Sequence, residues 1–284
     1  MSGKLGFIIS MLMFGSIGIF VKNIDVPSTY IVQWRTVIGS LCLIGYFIMK
    51  KHKVDFDKMK QNWKPLGISG MVLGCSWVCL FEAYKNTSIA MSTIVYYCAP
   101  IIVFCASPIL FKAKITKAQL VGISTAVIGM VLVNVVGISF NDFSFAMVYA
   151  LGAAVMYAMI MLANKFIKDM DGVESTLVQL LIAVVVISTY CTLINGQLLY
   201  IPETKDLLLL IFVGVFHTGF ALSIYFISLQ KLSPQNIAIF SYLDPASALV
   251  FAFVLLGETL TWYQMVGAIF IFGGILFAQL KSEE

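Results

Sequence analysis

The chain has 284 residues, of which 60% are hydrophobic and 11% are charged; its formal net charge is +4 and its mean hydropathy is +0.97. Soluble domains carry a charge on about a quarter of their residues, so this chain could not cover its surface with polar groups in water. The composition excludes an ordinary soluble protein and predicts an integral membrane protein whose surroundings are a lipid bilayer.

Ten apolar runs follow one another along the chain, separated by charged and turn-forming residues. Each is solidly apolar for about twenty residues, which indicates helices rather than the alternating strands of a membrane barrel. The predicted spans are 5–22, 29–49, 66–84, 91–111, 117–137, 143–164, 175–195, 207–229, 235–256 and 262–280. We therefore predict an all-α membrane protein without a separate soluble domain, and we expect the first run to be a retained helix rather than a signal peptide.

The lysines fall mainly on one side of the predicted membrane. If the N-terminus is cytoplasmic, the inside segments hold 14 lysines and the outside segments hold 3. This positive-inside pattern predicts a multi-pass protein of the cell membrane with both termini in the cytoplasm. The pattern also explains the positive net charge without a nucleic-acid partner.

Cysteines occur only inside predicted spans: Cys42, Cys75, Cys79, Cys98, Cys105 and Cys191. No histidine accompanies them, so we expect free thiols that act as small buried hydrophobic residues. The sequence predicts neither a metal site nor a cofactor.

The two halves of the chain resemble each other in sequence. Residues 84–132 align with residues 229–277 at a constant offset of 145 and without gaps. The matched pairs include Tyr97 with Tyr242, Pro100 with Pro245, Thr116 with Thr261, Gln119 with Gln264, Gly122 with Gly267 and Gly129 with Gly274. Chance pairing of apolar residues would not bring these residues into register. We predict two repeats of five spans each, over 1–140 and 141–284.

An odd number of spans per repeat makes the second repeat enter the membrane from the opposite side, so the repeats are inverted. Inverted repeats can exchange conformations, which provides a physical route to opening a central site to each side in turn. The sequence therefore predicts a secondary active transporter that works by alternating access.

Four segments resemble the drug/metabolite transporter superfamily, specifically its EamA-type ten-helix branch. They are "FGSIGIF" (14–20), "VQWRTVIGS" (32–40), "FEAYKNTSIAMSTIVYYCAP" (81–100) and the proline-centred stretch 225–276 with its Gly-Glu turn. The resemblance covers essentially the whole chain, although the first half has "FKAKIT" in place of that turn. It implies a carrier of small organic metabolites, often moving them outward, and it implies no particular substrate.

Asp244 and Pro245 lie together near the middle of the ninth predicted span. A charge at mid-membrane costs roughly 2.5–3.5 kcal/mol on insertion scales, so it needs a partner or a function. Pro245 cannot donate to the Ser241 carbonyl, and we expect that oxygen and Asp244 together to bind a proton, a cation or an amine. Pro100 repeats the kink without a carboxylate, and both prolines are predicted hinges. Alternatively, Asp244 is structural, bonded to Arg35 or to amides.

Two further ionisable side chains lie inside predicted spans. Arg35 could bind a substrate carboxylate with its planar guanidinium, or it could form a structural pair with Glu82 or Asp244. His217 could relay protons, or it could be a histidine held by hydrogen bonds within the bundle. We expect Glu82 to form a local pair with Lys85, three residues further along its helix.

Aromatic residues make up 13% of the chain, and most of them must serve in packing. We expect Trp77, Tyr97 and Tyr242 at the site, where rings could stack on a flat substrate or hold a cation. Further rings in the same or neighbouring segments could join them, although most such rings are expected to be packing or interface residues: Phe81, Tyr84, Tyr96 and Tyr225.

An intramembrane hydrolase is the alternative from another functional class, and the residue types argue against it. An aspartyl hydrolase needs two aspartates in the membrane, whereas only Asp244 lies deep in a span. A serine or zinc hydrolase needs a suitable nucleophile loop or paired histidines, whereas His217 is the sole histidine in a span and His52 lies in a lysine-rich loop. We expect no enzymatic activity.

One carboxylate beside a notch lined by rings predicts an amino acid or an amine as the substrate. Asp244 is titratable, so protons are the predicted coupling ion. The alternative is an exporter of aromatic or cationic compounds that is not coupled through Asp244.

Overall fold

The structure, a computed structural model, describes residues 2–51, 54–135 and 146–281, and these contain helices and turns but no β-strand. The helices of the first half are α1 (Gly3–Val21), α2 (Ser28–Lys50), α3 (Phe56–Gln61), α4 (Trp63–Asn86), α5 (Ile89–Tyr96), α6 (Ala99–Phe111) and α7 (Lys117–Asn134). Those of the second half are α8 (Ala146–Asn164), α9 (Gly172–Ile194), α10 (Thr204–Phe212), α11 (Ala221–Lys231), α12 (Pro234–Phe240), α13 (Leu243–Leu256) and α14 (Trp262–Leu280).

Ten helical segments of the described chain are long and apolar enough to cross a membrane, which confirms the ten predicted spans. Spans 1, 2, 3, 5, 6, 7 and 10 are α1, α2, α4, α7, α8, α9 and α14. Span 4 joins α5 to α6, span 9 joins α12 to α13, and span 8 joins α10 to α11 through a π-helical segment, Val213–Phe220. The predicted border between the repeats, 140/141, and the adjoining ends of predicted spans 5 and 6 lie outside the described residues.

Successive spans begin at alternate faces of the bundle. We call the face at which α1 begins the N-side, and the opposite face the far side. By this parity, α4 and α8 end at the far side and the N-side respectively, and the two half-helices of a broken span each reach one face.

The spans form two bundles with a central space between them. Bundle A contains spans 3, 4 and 6, because α8 packs against α4, α5 and α6. Bundle B contains spans 1, 8 and 9, because α1 packs against α11 and α13. Spans 2 and 7 pack on each other along one flank and contact both bundles, and spans 5 and 10 form a close pair along the other flank.

Spans 4 and 9 are both broken just ahead of the prolines predicted as hinges. Pro100 lies in the first turn of α6 and Pro245 in the first turn of α13, where the missing N–H costs no intrahelical hydrogen bond. The prediction of a free Ser241 carbonyl is wrong, because that oxygen accepts a 3.3 Å hydrogen bond from the Asp244 N–H. Pro245, four residues after Ser241, has no N–H to donate. The tight turn between α12 and α13 lets Asp244, three residues after Ser241, donate in its place.

Spans 5 and 10 approach so closely that their crossing needs glycine. A Cβ built on Gly129 would lie 2.5 Å from the Gly267 carbonyl oxygen, and one on Gly274 would lie 2.6 Å from the Gly122 carbonyl oxygen. Real Cβ atoms do not come this close to a backbone oxygen, so the two helices pack backbone against backbone.

The six cysteines are free thiols, as predicted. The prediction that all of them are buried is wrong: Cys191 is buried, whereas Cys105 is exposed on the outer surface of its helix. A small apolar side chain can face lipid as readily as the interior, so burial did not follow from residue type.

Candidate functional site

A cavity of about 450 Å³ lies between the two bundles, at the level of the breaks in spans 4 and 9. This volume is within the range of small-molecule sites, roughly 300–1,000 Å³. The cavity extends to Ile89 at the start of α5, which is 67% exposed at the far side. Its polar and aromatic lining consists of Phe14, Arg35, Trp77, Tyr84, Thr93, Tyr96, Tyr97, Tyr157, Tyr225 and Asp244.

Asp244 faces the cavity from the start of α13, next to the break in span 9. The Tyr97 hydroxyl donates a 2.7 Å hydrogen bond to Asp244 Oδ2, and the Tyr242 hydroxyl donates a 3.0 Å bond to the Tyr97 carbonyl oxygen. The two tyrosine rings lie 6.4 Å apart between their centres. The tyrosines that the sequence alignment equates are thus in contact, and one of them orients the carboxylate.

Arg35 enters the same cavity from span 2. Its Cζ lies 4.6 Å from the centre of the Trp77 ring, a cation–π contact that fixes the guanidinium plane. Among the described residues, its buried Nε has no hydrogen-bond partner and no ion pair joins it to Asp244 or Glu82. The structural pair offered as an alternative for Arg35 and for Asp244 is therefore wrong, and both charges face the cavity.

Other charged side chains near span ends pair locally. Lys85 Nζ lies 2.7 Å from Glu82 Oε1, which confirms that predicted pair, and the Tyr190 hydroxyl donates a 2.5 Å bond to the same oxygen. Lys22 Nζ lies 2.9 Å from Glu258 Oε1 at the exposed far side. These pairs satisfy both carboxylates outside the cavity.

Four tyrosines line the cavity although the sequence analysis did not assign them to the site: Tyr84, Tyr96, Tyr157 and Tyr225. The rings of Tyr96 and Tyr157 are stacked, with centres 5.0 Å apart and planes 7° apart, and the hydroxyls of Tyr157 and Tyr225 lie 3.4 Å apart. Tyr96, Tyr157 and Tyr225 belong to spans 4, 6 and 8 and form the floor of the cavity, which is therefore made by both bundles. Tyr84, Tyr96 and Tyr225 are among the rings that the sequence leaves open between packing and the site, and Tyr157 carries no pattern in the sequence that could have indicated its position.

The bundles close together on the N-side of this floor. Within bundle B, the Phe7 ring lies 5.4 Å from the Tyr225 ring and 6.5 Å from the Phe240 ring, so an apolar layer underlies Tyr225. At this side α12 packs against α6, whereas at the far side the corresponding half-helices α5 and α13 scarcely touch. The cavity is therefore closed towards the N-side and open towards the far side.

Two predicted site residues of span 9 lie outside the lining of the cavity. Ser241 is buried, and its hydroxyl donates a 2.7 Å bond to the Ile237 carbonyl oxygen of its own helix. Tyr242 is 1% exposed and reaches the site only through Tyr97. A direct role for either in contacting a substrate stays a prediction.

His217 also lies outside the lining, in the π-helical turn of span 8, and is fully buried. Ser16 Oγ is 3.0 Å from His217 Nε2 and gives its own hydrogen to the Met13 carbonyl oxygen at 2.8 Å. Because a hydroxyl has one hydrogen, Nε2 must be the donor of the histidine–serine bond. The structure thus places His217 at the contact between spans 1 and 8, and its part in proton relay stays a prediction.

Comparison with known proteins gives concordant matches over most of the chain. The family model described as the EamA-like transporter family matches residues 1–135 and 144–279. The uncharacterized transporter YxxF of Bacillus subtilis is 26% identical, with 97% of this chain and 89% of that protein aligned. The uncharacterized inner membrane transporter YedA of Escherichia coli K12 is 21% identical over 83% of this chain and 76% of its own length. One solved crystal structure superposes with a TM-score of 0.85 over 99% of both chains at 17% identity, a likeness of fold.

Proposed function

Because this chain belongs to the EamA-like transporter family and is a multi-pass membrane transporter, we propose that it is a secondary carrier that moves a small organic metabolite by alternating access. The observation that carries the proposal is a cavity between two bundles that holds two separate charges, Asp244 and Arg35, and is open towards one face. A carrier needs a central site of this kind, whose closure can move from one face to the other.

The packing of the spans supports the inverted repeats on which alternating access depends. Suppose that spans 1–5 exchange places with spans 6–10. The contact of span 1 with span 9 then becomes that of span 6 with span 4, and the contact of span 1 with span 8 becomes that of span 6 with span 3. The contact of span 2 with span 8 becomes that of span 7 with span 3. Contacts 2–7 and 5–10 return to themselves, and all of these pairs are packed together. The contact of α12 with α6 lacks a full counterpart at the far side. Moving that contact to α5 and α13 would open the cavity to the N-side.

The charges of the cavity favour an amino acid or an amine as the substrate. Asp244 can hold an ammonium group, and the Arg35 guanidinium, with an unused Nε–H, can donate to a carboxylate. The rings around them supply apolar surface and cation–π contact. An aromatic or cationic compound is the second candidate, which the stacked pair of Tyr96 and Tyr157 favours because a flat ring could extend that stack.

We further propose that protons drive the transport and that Asp244 carries them. It is the carboxylate in the cavity lining of the described chain, and its hydrogen bond from Tyr97 can persist in either protonation state. The lysine distribution supports a cytoplasmic N-side, with 14 lysines there against 3 at the far side. In that orientation the described state is open to the outside.

A thermal-stability screen tests the substrate class. Purified protein is melted in the presence of amino acids, amines, nucleobases and sugars, because a ligand at 100 times its dissociation constant stabilises the folded state by about 2.7 kcal/mol. We expect the melting temperature to rise with amino acids or amines. A response confined to sugars or nucleobases would contradict the substrate proposal while leaving the carrier proposal standing.

Replacing Arg35 by Gln is expected to weaken binding of an amino acid by roughly a hundredfold, because a buried carboxylate then loses its charged partner. The matched amine, which lacks the carboxylate, should bind equally well to both proteins. Titration of both ligands against the parent, Arg35→Gln and Arg35→Lys checks this. Equal weakening of the two ligands would show that Arg35 acts on the fold rather than on the carboxylate.

A further inference from the structure

A lysine follows the end of both span 1 and span 6. Lys22 directly follows the last residue of α1, and Lys165 directly follows the last residue of α8. Exchange of the two halves equates span 1 with span 6, so the two lysines are counterparts. They lie at opposite faces, Lys22 at the far side and Lys165 at the N-side.

Lys165 ties the two bundles together at the closed face. Its Nζ donates to the carbonyl oxygens of Gln230 at 3.0 Å and Leu232 at 2.7 Å, at the C-terminal end of α11. The last carbonyls of a helix lack intrahelical donors and carry a partial negative charge, so they suit an ammonium group. Since Lys165 belongs to bundle A and α11 to bundle B, these bonds span the gap that must open on the N-side.

The environment of Lys165 differs from that of a solvated surface lysine. It is partly buried, and burial lowers the pKa of its ammonium group because desolvation disfavours the charge. Two short bonds to carbonyl oxygens offset this cost only while the bundles are together. The contact is therefore specific to the state closed at the N-side.

The sequence alignment locates the counterpart of this contact at the far side. Gln230 and Leu232 align with Lys85 and Thr87, which lie at the end of α4 as the former do at the end of α11. In the described state Lys22 is paired instead with Glu258, and both of these residues belong to bundle B. Lys22 thus makes its ion pair within bundle B in the described state, as expected for the open face.

We propose that Lys165 and Lys22 are alternating latches of the two faces. Lys165 holds the N-side closed in the described state; in the opposite state it is released, and Lys22 leaves Glu258 to donate to the carbonyl oxygens of Lys85 and Thr87. The inference rests on the proposed alternating access and adds the groups that decide which face is closed.

Labelling of single cysteines tests the N-side latch. Two reporters, Ile89→Cys at the far mouth and Gln235→Cys at the N-side, are placed in protein whose six native cysteines are replaced, and thiol labelling is timed in nanodiscs. Ile89 is 67% exposed and Gln235 is 3% exposed in the described state. Lys165→Met is expected to raise labelling at the Gln235→Cys reporter by roughly tenfold, because hydrogen bonds from a charged group are lost. Lys165→Arg, which keeps the charge and the donors, should label like the parent, and so should Lys168→Met, which removes an exposed lysine three residues away.

The far-side latch is tested by the direction in which two substitutions change thiol labelling. Lys22→Met and Glu258→Gln both abolish the same ion pair. If Lys22 acts only through this pair, the two substitutions should change labelling in the same direction. The latch predicts opposite effects: Lys22→Met lowers labelling at the Gln235→Cys reporter, and Glu258→Gln raises it by freeing Lys22. Effects of the same sign would overturn the proposal.

The reporters separate failure of the latch from failure of the carrier mechanism. Suppose that ligand or pH changes the labelling rates of the two reporters in opposite directions in the parent, whereas the lysine substitutions leave both rates unchanged. The latch alone is then overturned. If no ligand, pH or variant changes the two labelling rates in opposite directions, the proposal of alternating access is overturned, and the latch with it.

Discussion

Asp244→Asn is expected to abolish transport driven by a pH gradient, with a loss on the order of a hundredfold or more, in protein that still folds. Asn has nearly the same shape and can accept the hydrogen bond that Tyr97 donates to Asp244. It cannot take up a proton or neutralise an ammonium group at neutral pH. The measurement is uptake of the ligand found in the thermal screen, into proteoliposomes with and without an imposed pH gradient.

Two controls make the result interpretable. Asp57→Asn removes an exposed carboxylate from α3 and should leave flux unchanged. Exchange of labelled for unlabelled ligand at equal pH separates the two roles of Asp244: exchange that survives when driven flux is lost assigns it to proton coupling, and loss of both assigns it to substrate binding. Unchanged driven flux would refute proton coupling through Asp244.

Gly274→Leu is expected to destabilise the protein by about 3 kcal/mol, whereas Gly273→Leu one residue away should be nearly neutral. A Cβ on Gly274 would lie 2.6 Å from the Gly122 carbonyl oxygen, while a Cβ on Gly273 would meet no atom within 4 Å in the described part of the chain. The neighbouring helix backbone cannot yield as a flexible side chain would, so α7 and α14 must separate.

Thermal unfolding of the two variants in the same detergent checks this prediction. The pair shares helix, depth and residue type, so differences in helix propensity or hydrophobicity cancel. Equal melting temperatures would contradict the backbone contact between spans 5 and 10.

The spans could be predicted from the sequence because their length is set by the thickness of the bilayer and their composition by its interior. Asp244 and Arg35 could be selected because a charge in an apolar run is costly and therefore conspicuous. Tyr157 could not, since a tyrosine among apolar residues does not reveal whether it faces lipid, a neighbouring helix or a cavity. That depends on how bundles A and B are placed.

Two other features depend on local backbone geometry that the hydrophobic pattern of the sequence does not predict. The π-helical turn around His217 adds a residue to the turn and redirects its side chain towards Ser16. The missing N–H of Pro245 predicts a free Ser241 carbonyl, but the turn at the break in span 9 brings the Asp244 N–H to that oxygen instead.

The contacts along spans 5 and 10 give a physical reason for the glycines that recur at aligned positions in the two halves. Gly122 meets Gly274 and Gly129 meets Gly267, so a bulkier residue in one half collides with the other half. At these four positions a side chain added in one half would meet the backbone of the other half, which favours the smallest residue in both halves. Asp244 and Ala99, which the sequence alignment equates, do not take part in this crossing, and there the two halves differ by a carboxylate.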